Sequence, residues 1–174
     1  GQGVRRLVMV TVGTGIGYAL VLDGKIHRGT GGWHPEGGHM RLDPNGPPCY
    51  CGANGCWESL AAGPAIARDL QAAARQQPTR MLELAGGEIE KIDAAVMAEA
   101  ARLGDPLALD WTARLGEIYG LGLANILLLV LPDTIVLGGG VMRSFDLFEA
   151  SLRATAAQTV PVVPAGQVKI LAAQ

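Results

Sequence analysis

Apolar and polar positions change period several times along this chain. Residues 7–12 form a β-branched-rich apolar run that reads as a buried strand. Gly13, Gly15 and Gly17 interrupt it, and 18–22 reads as a second strand. Asp23-Gly24 is a two-residue hairpin signal, so 25–27 is the return strand and the chain opens as a β-meander. Across 28–57 the pattern stops: Gly, Pro, Asn and Cys dominate, with too few regularly spaced apolar residues for a helix or long strand. An irregular stretch of that length calls for a function or a staple.

From 58 to about 76 the residues are those of a helix, with a boundary or kink at Gly63-Pro64. A break covers 77–87. A helix over 93–103 has Asp93 near its start, and Gly104-Asp105-Pro106 stops it and begins another, with Asp105 as N-cap and Pro106 at the first helical position. That helix runs to about 129, and Gly116, Gly120 and Gly122 inside it predict close packing against another element. A short buried strand over 134–137 ends in Gly138-Gly139-Gly140, followed by a helix over 145–158 and a last strand over 168–171. Strands first, then helices alternating with glycine-terminated strands, define an α/β domain.

With 174 residues, 49% of them hydrophobic, the chain can bury one sizeable core. No apolar run approaches bilayer-spanning length and no signal-peptide pattern opens the chain, so a cytoplasmic, non-membrane protein is expected. The formal net charge of −2 gives no electrostatic reason for this segment to bind nucleic acid.

The three cysteines, Cys49, Cys51 and Cys56, all fall within the irregular stretch. With His39 they give the spacing H-x9-C-x-C-x4-C, a donor set suited to a closed tetrahedral zinc site of structural type. His34 is the local rival as fourth ligand, and His27 sits in the hairpin. The plainer reading is three reduced thiols and a surface histidine. Gly13-Thr14-Gly15-Ile16-Gly17 lies between two strands, where a dinucleotide fingerprint does not belong, but its backbone N–H groups can still face a phosphate. Gly138-Gly139-Gly140 lets a flat ligand approach the backbone, or is simply a flexible turn. Glu36 and Glu58 flank the presumed ligands, so a metal would hold two good acceptors for sugar hydroxyls. Otherwise Glu58 is a helix N-terminal acid and Glu36 a solvated loop charge. Trp33 and Trp57 are packing groups or, failing that, stacking surfaces for a sugar.

Glu36-Gly37-Gly38-His39, followed by Cys49-Tyr50-Cys51-Gly52-Ala53-Asn54-Gly55-Cys56-Trp57-Glu58, resembles the E-x-G-H…C-x-C-G-x-x-G-C-x-E signature of ROK proteins. The resemblance runs from the 12–17 loop to the 136–141 segment. It implies a lobe of the actin-like ATPase (ribonuclease H-like) fold with a zinc-stapled loop, residues 1–174 being the C-terminal sugar- and nucleotide-binding lobe. It implies ATP-dependent phosphorylation of a hexose, with Mg²⁺ accompanying ATP, or alternatively the sugar-binding effector domain of a repressor. His39, Cys49, Cys51 and Cys56 match the zinc ligands, and Glu36, His39 and Glu58 the sugar contacts. Gly13, Thr14 and Gly15 match a phosphate loop, and Gly138, Gly139 and Gly140 the adenosine motif. A homo-oligomer is implied as well. The family's first phosphate loop and its general-base Asp are not found, and Tyr18 and Ala19 stand where glycines are common. The expectation is a fragment or isolated lobe that does not transfer phosphate alone.

Overall fold

The computed structural model describes residues 3–173. Alternation along β1 (Arg6–Val12) buries Val8, Val10 and Val12 completely and leaves Arg6 and Thr11 exposed. β1 pairs antiparallel with β2 (Ile16–Leu22), and β2 pairs with the short β3 (Lys25–Ile26). Asp23 and Gly24 both take positive φ, +49° and +76°, as a type I′ hairpin turn requires. On its other side β1 runs parallel to β4 (Thr134–Gly138), which runs parallel to β5 (Lys169–Ala172). The order β3-β2-β1-β4-β5 therefore joins the expected meander to a parallel half.

The helices are α1 (Trp57–Ala61), α2 (Gly63–Ala74), α3 (Arg80–Leu84), α4 (Ala94–Arg102), α5 (Pro106–Leu129) and α6 (Phe145–Thr159). The boundary expected at Gly63-Pro64 separates α1 from α2, because Ala62 turns extended (ψ 160°) and Gly63 N–H donates to Gly13 O instead of continuing the helix. One expectation needs correction. The break over 77–87 contains α3, which the Thr79 side chain starts by accepting from Met81 N–H and which fully buried Met81 anchors. Asp93 caps α4 by accepting from Ala95 and Val96 N–H, both at 2.9 Å.

α5 is the central helix of the core. Gly116 and Gly120, one turn apart, face α6 so closely that a Cβ on Gly120 would lie 2.7 Å from Leu152 O. Gly122, on another face, meets the ring of Trp57. Leu115, Leu123 and Leu127 join Val8 and Val10 of the sheet in one contiguous core. No described helix is long and apolar enough to cross a membrane.

Asp105 fastens the start of α5 to α3. Although buried, its carboxylate accepts from Ala108 N–H (2.8 Å), Arg80 N–H (2.7 Å) and the Thr79 hydroxyl (3.0 Å). Burial pushes its pKa up, but these donors outweigh burial and hold the carboxyl below the usual range. Asp105→Ala strands three donors and is expected to cost about 2–4 kcal/mol, a Tm fall of roughly 5–15 °C by thermal denaturation. With the folded pKa below the unfolded one, the contribution is complete above the ordinary carboxylate pKa and fades as pH falls through the depressed value. The Tm gap between wild type and Asp105→Asn should therefore narrow only in strong acid.

Candidate functional site

The loop between β1 and β2 is held from both ends. Gly13 N–H donates to Gly15 O (2.9 Å), and Gly13 O accepts from Gly63 N–H at the start of α2 (2.7 Å). Ile16 N–H donates to Glu58 Oε2 at 2.7 Å, tying the loop to the first turn of α1. Gly15 must be glycine for that contact, since a Cβ there would lie 2.5 Å from the same oxygen. Glu58 thus spends one oxygen on the backbone and remains only half-buried.

Glu36 reaches the same place from a different segment. It precedes a 3-10 turn, Gly37–His39, in which His39 N–H donates to Glu36 O (3.0 Å). Gly37 and Gly38 let that turn lie flat on β2: a Cβ on Gly37 would sit 2.5 Å from the Tyr18 ring, and one on Gly38 would strike Ile16 O. Glu36, Glu58, Thr14 and Gly15 consequently line one open cleft of about 420 Å³.

Beyond the turn the chain folds back on itself. Leu42 N–H donates to Gly55 O, Gly55 N–H to Pro47 O and Cys49 N–H to Ala53 O, with Gly52 and Gly55 at positive φ (+92° and +64°). The fold-back brings His39, Cys49, Cys51 and Cys56 together, their ligand atoms all within 4.8 Å of one another. His39 Nδ1 lies 3.5 Å from Cys49 Sγ, and Cys51 Sγ lies 3.6 Å from Cys56 Sγ. A tetrahedron of thiolates around zinc has edges of about 3.8 Å, so the donor set and its spacing both fit that ion. Burial pushes the Cys56 thiol up to about 12, whereas the Ala53 N–H lowers the exposed Cys51. A dication would reverse the first effect by stabilising the buried thiolate. His39 faces the cluster through Nδ1 and leaves Nε2 on the outside. Its two expected roles therefore fall on different ring atoms. His34 is outside the cluster and bonded to Arg28.

A larger cleft, about 700 Å³, opens on another side of the glycine loop. Gly13 and Thr14 form part of its wall, with Gly140, Arg143, Asp93 and Arg102 on other parts. The three glycines of 138–140 separate. Gly138 is buried in β4 opposite Thr11, against Met9 and Ala173; Gly139 (φ +95°) packs on the Val12 backbone and borders the carboxylate cleft; only Gly140 lines the large one.

Three side chains in these hollows carried no sequence signal. Arg102, held to both oxygens of Asp146 (2.9 and 3.1 Å), and Arg143 line the large cleft together with the acids Asp93 and Glu99. Tyr50 places its hydroxyl 3.0 Å from His39 Nε2. With Thr14 and Glu58 it lines a third hollow of about 520 Å³. Of the tryptophans, Trp57 is buried against Tyr119 and Gly122 and offers a ligand nothing, whereas Trp33 is 76% exposed.

The described residues thus bring together a mixed α/β sheet, a two-carboxylate cleft, a glycine loop and a compact Cys₃His cluster. The sequence model of the ROK family matches residues 1–174, and the chain belongs to that family. It is 37% identical over 150 residues to the glucokinase of Streptomyces coelicolor, an alignment covering 84% of this chain and 47% of that protein. It is 30% identical over 154 residues to the xylose repressor of Bacillus subtilis, covering 88% and 36%. A ROK family glucokinase from Streptomyces griseus, solved in complex with glucose and AMPPNP, superposes with a TM-score of 0.86 at 34% identity, over 100% of this chain and 57% of that one. The chain spans about half the length of the curated glucokinases it matches. The actin-like ATPase fold expected from the sequence is consistent with these neighbours and with the mixed sheet.

Proposed function

We propose that residues 1–174 form the C-terminal sugar- and nucleotide-binding lobe of an ATP-dependent hexose kinase. The observation that carries this reading is the position of Thr14, whose loop borders the carboxylate cleft on one side and the large cleft on the other. A sugar held by Glu36 and Glu58 would sit across one backbone loop from whatever occupies the large cleft. Similarity to glucokinases, one of them solved with glucose and AMPPNP, supports the same assignment.

Catalysis in this reading is positioning and charge stabilisation. The carboxylates of Glu36 and Glu58 accept from sugar hydroxyls, and His39 Nε2–H donates to one, orienting the C6 hydroxyl. Glu58, pinned by Ile16 N–H, transmits its position to the loop whose Gly13, Thr14 and Gly15 face the phosphates. Gly140 borders the nucleotide in the large cleft, while Gly138 holds the segment to the sheet and Gly139 lies on the carboxylate side. Arg143 adds positive charge toward the phosphates, and Mg²⁺ arrives with ATP. Zinc held by His39, Cys49, Cys51 and Cys56 would leave no open position for chemistry and would serve to fix the loop. The general base belongs to the other lobe, and the assembled protein is a cytoplasmic homo-oligomer.

The similarity to a xylose repressor supports a second reading, in which the same carboxylate cleft senses a sugar without turnover. The two part in an ADP-release assay on the full-length, zinc-loaded polypeptide, with Mg-ATP and glucose, mannose, fructose, N-acetylglucosamine and N-acetylmannosamine. Turnover with one sugar is expected. Folded protein that binds a sugar but releases no ADP would overturn the kinase in favour of the sensor.

A further inference from the structure

The outward edge of His39 is already taken. Its Nε2 lies 3.0 Å from the hydroxyl of Tyr50, a residue of this same chain, and the two rings meet edge to face at 5.1 Å and 82°. Tyr50 sits in the tight turn between Cys49 and Cys51, closed by Gly52 N–H donating to Cys49 O (3.0 Å). The Glu58 carboxylate is the hydroxyl's other hydrogen-bonding neighbour. Tyr50 is 84% exposed and contributes nothing to the core. It lines the same hollow as Glu58 and Thr14. A phenol and a sugar hydroxyl offer the same hydrogen-bonding capacity, one donated proton and lone pairs to accept with. With Nδ1 bound to a metal in the cluster, Nε2 would carry the ring's proton, and the Tyr50 oxygen would accept it as a pyranose hydroxyl would.

We propose that Tyr50 is a positioning residue that sets hexose affinity by occupying, in the free protein, the hydrogen-bonding place at His39 that a sugar hydroxyl must take. The inference rests on the reading of Glu36, His39 and Glu58 as the sugar site. Sugar entry requires the Tyr50 side chain to rotate away from His39 and Glu58, and what opposes that rotation is the hydrogen bonding of one exposed hydroxyl and the edge contact. Releasing the hydrogen bonding of one exposed hydroxyl changes an equilibrium by a few-fold to about tenfold. The hydroxyl thus weakens sugar binding and keeps the His39 ring oriented while the site is empty, but has no part in phosphate transfer.

The test is Tyr50→Phe, which keeps the ring and removes the competing hydroxyl, in the full-length zinc-loaded protein. Isothermal titration with the best sugar of the panel, without nucleotide, is expected to show two- to tenfold tighter binding than wild type. Where turnover exists, KM for the sugar should fall by the same factor with kcat unchanged. Zinc content per chain, read by atomic absorption, should be equal in the two proteins, since a merely structural Tyr50 would lower it or lower kcat. Tyr50→Ala should also bind sugar more tightly than wild type. Equal or weaker sugar binding by Tyr50→Phe, in a protein with wild-type zinc content, overturns the proposal while leaving the sugar site standing. A wild type that binds no hexose overturns the sugar site and the proposal with it.

Discussion

Glu58→Ala is expected to lower kcat/KM for the hexose by roughly two to four orders of magnitude. In the proposed sugar site the carboxylate would make charge-assisted hydrogen bonds to two hydroxyls, each worth about 1.5–3 kcal/mol, and a tenfold change in rate corresponds to about 1.4 kcal/mol. The same substitution takes the acceptor from Ile16 N–H, a backbone group on a buried residue, so the glycine loop loses its tether as well. Both losses point the same way, and both kcat and KM should suffer. Glu58→Gln keeps a neutral acceptor for Ile16 N–H, and its loss should be smaller, about ten- to a hundredfold. Measuring kcat/KM by ADP release and sugar affinity by calorimetry checks both variants. Near wild-type turnover by Glu58→Ala would remove Glu58 from the site.

Removing the metal should be the next largest effect. One zinc per chain is expected. Stripping it with a chelator, or substituting Cys56→Ser, should lower Tm by about 10–15 °C, equivalent to roughly 3–5 kcal/mol for a domain of this size. That is well below the ~10–16 kcal/mol by which zinc organises small isolated peptides, because much of this domain's core forms independently of the loop. Cys56 is the most sensitive position, being fully buried and immediately before Trp57, whose N–H donates to Met40 O and whose ring lies against Gly122 of α5. Sugar affinity should fall with the metal, since His39 and Glu58 both lie within two residues of a ligand or are one. Re-addition of zinc should restore both quantities in the chelated protein and neither in Cys56→Ser. Unchanged Tm after complete metal removal would show that backbone hydrogen bonds alone hold the fold-back.

The Cys/His cluster was legible in the sequence because all four donors fall in one short segment whose glycines and prolines signal sharp reversal. The hairpin turn and the start of α5 were legible for the same reason: Asp23-Gly24 and Asp105-Pro106 act locally. What stayed hidden depends on contacts between distant segments. The bond from Ile16 to Glu58 spans 42 positions, and neither residue carries a mark of the other. Arg102 and Arg143 meet at one cleft from different elements. Gly138-Gly139-Gly140 looks uniform as text, yet β4 pairing absorbs the first and leaves the others at the cleft rims. α3 escaped notice because five residues are too few to show a helical period. What holds it is the packing of Met81 and the bonds that Asp105 draws to Thr79 and Arg80.

The loop of residues 13–17 walls more than one hollow, and Thr14 borders all three. A ligand on either side that orders this loop leaves less ordering to be done for a ligand on the other. Thermodynamic reciprocity then requires each to raise the other's affinity by the same factor. In a protein built this way, a dissociation constant measured for the sugar alone and one measured with a non-hydrolysable nucleotide present are different quantities. Their ratio reports how much freedom five residues of backbone give up.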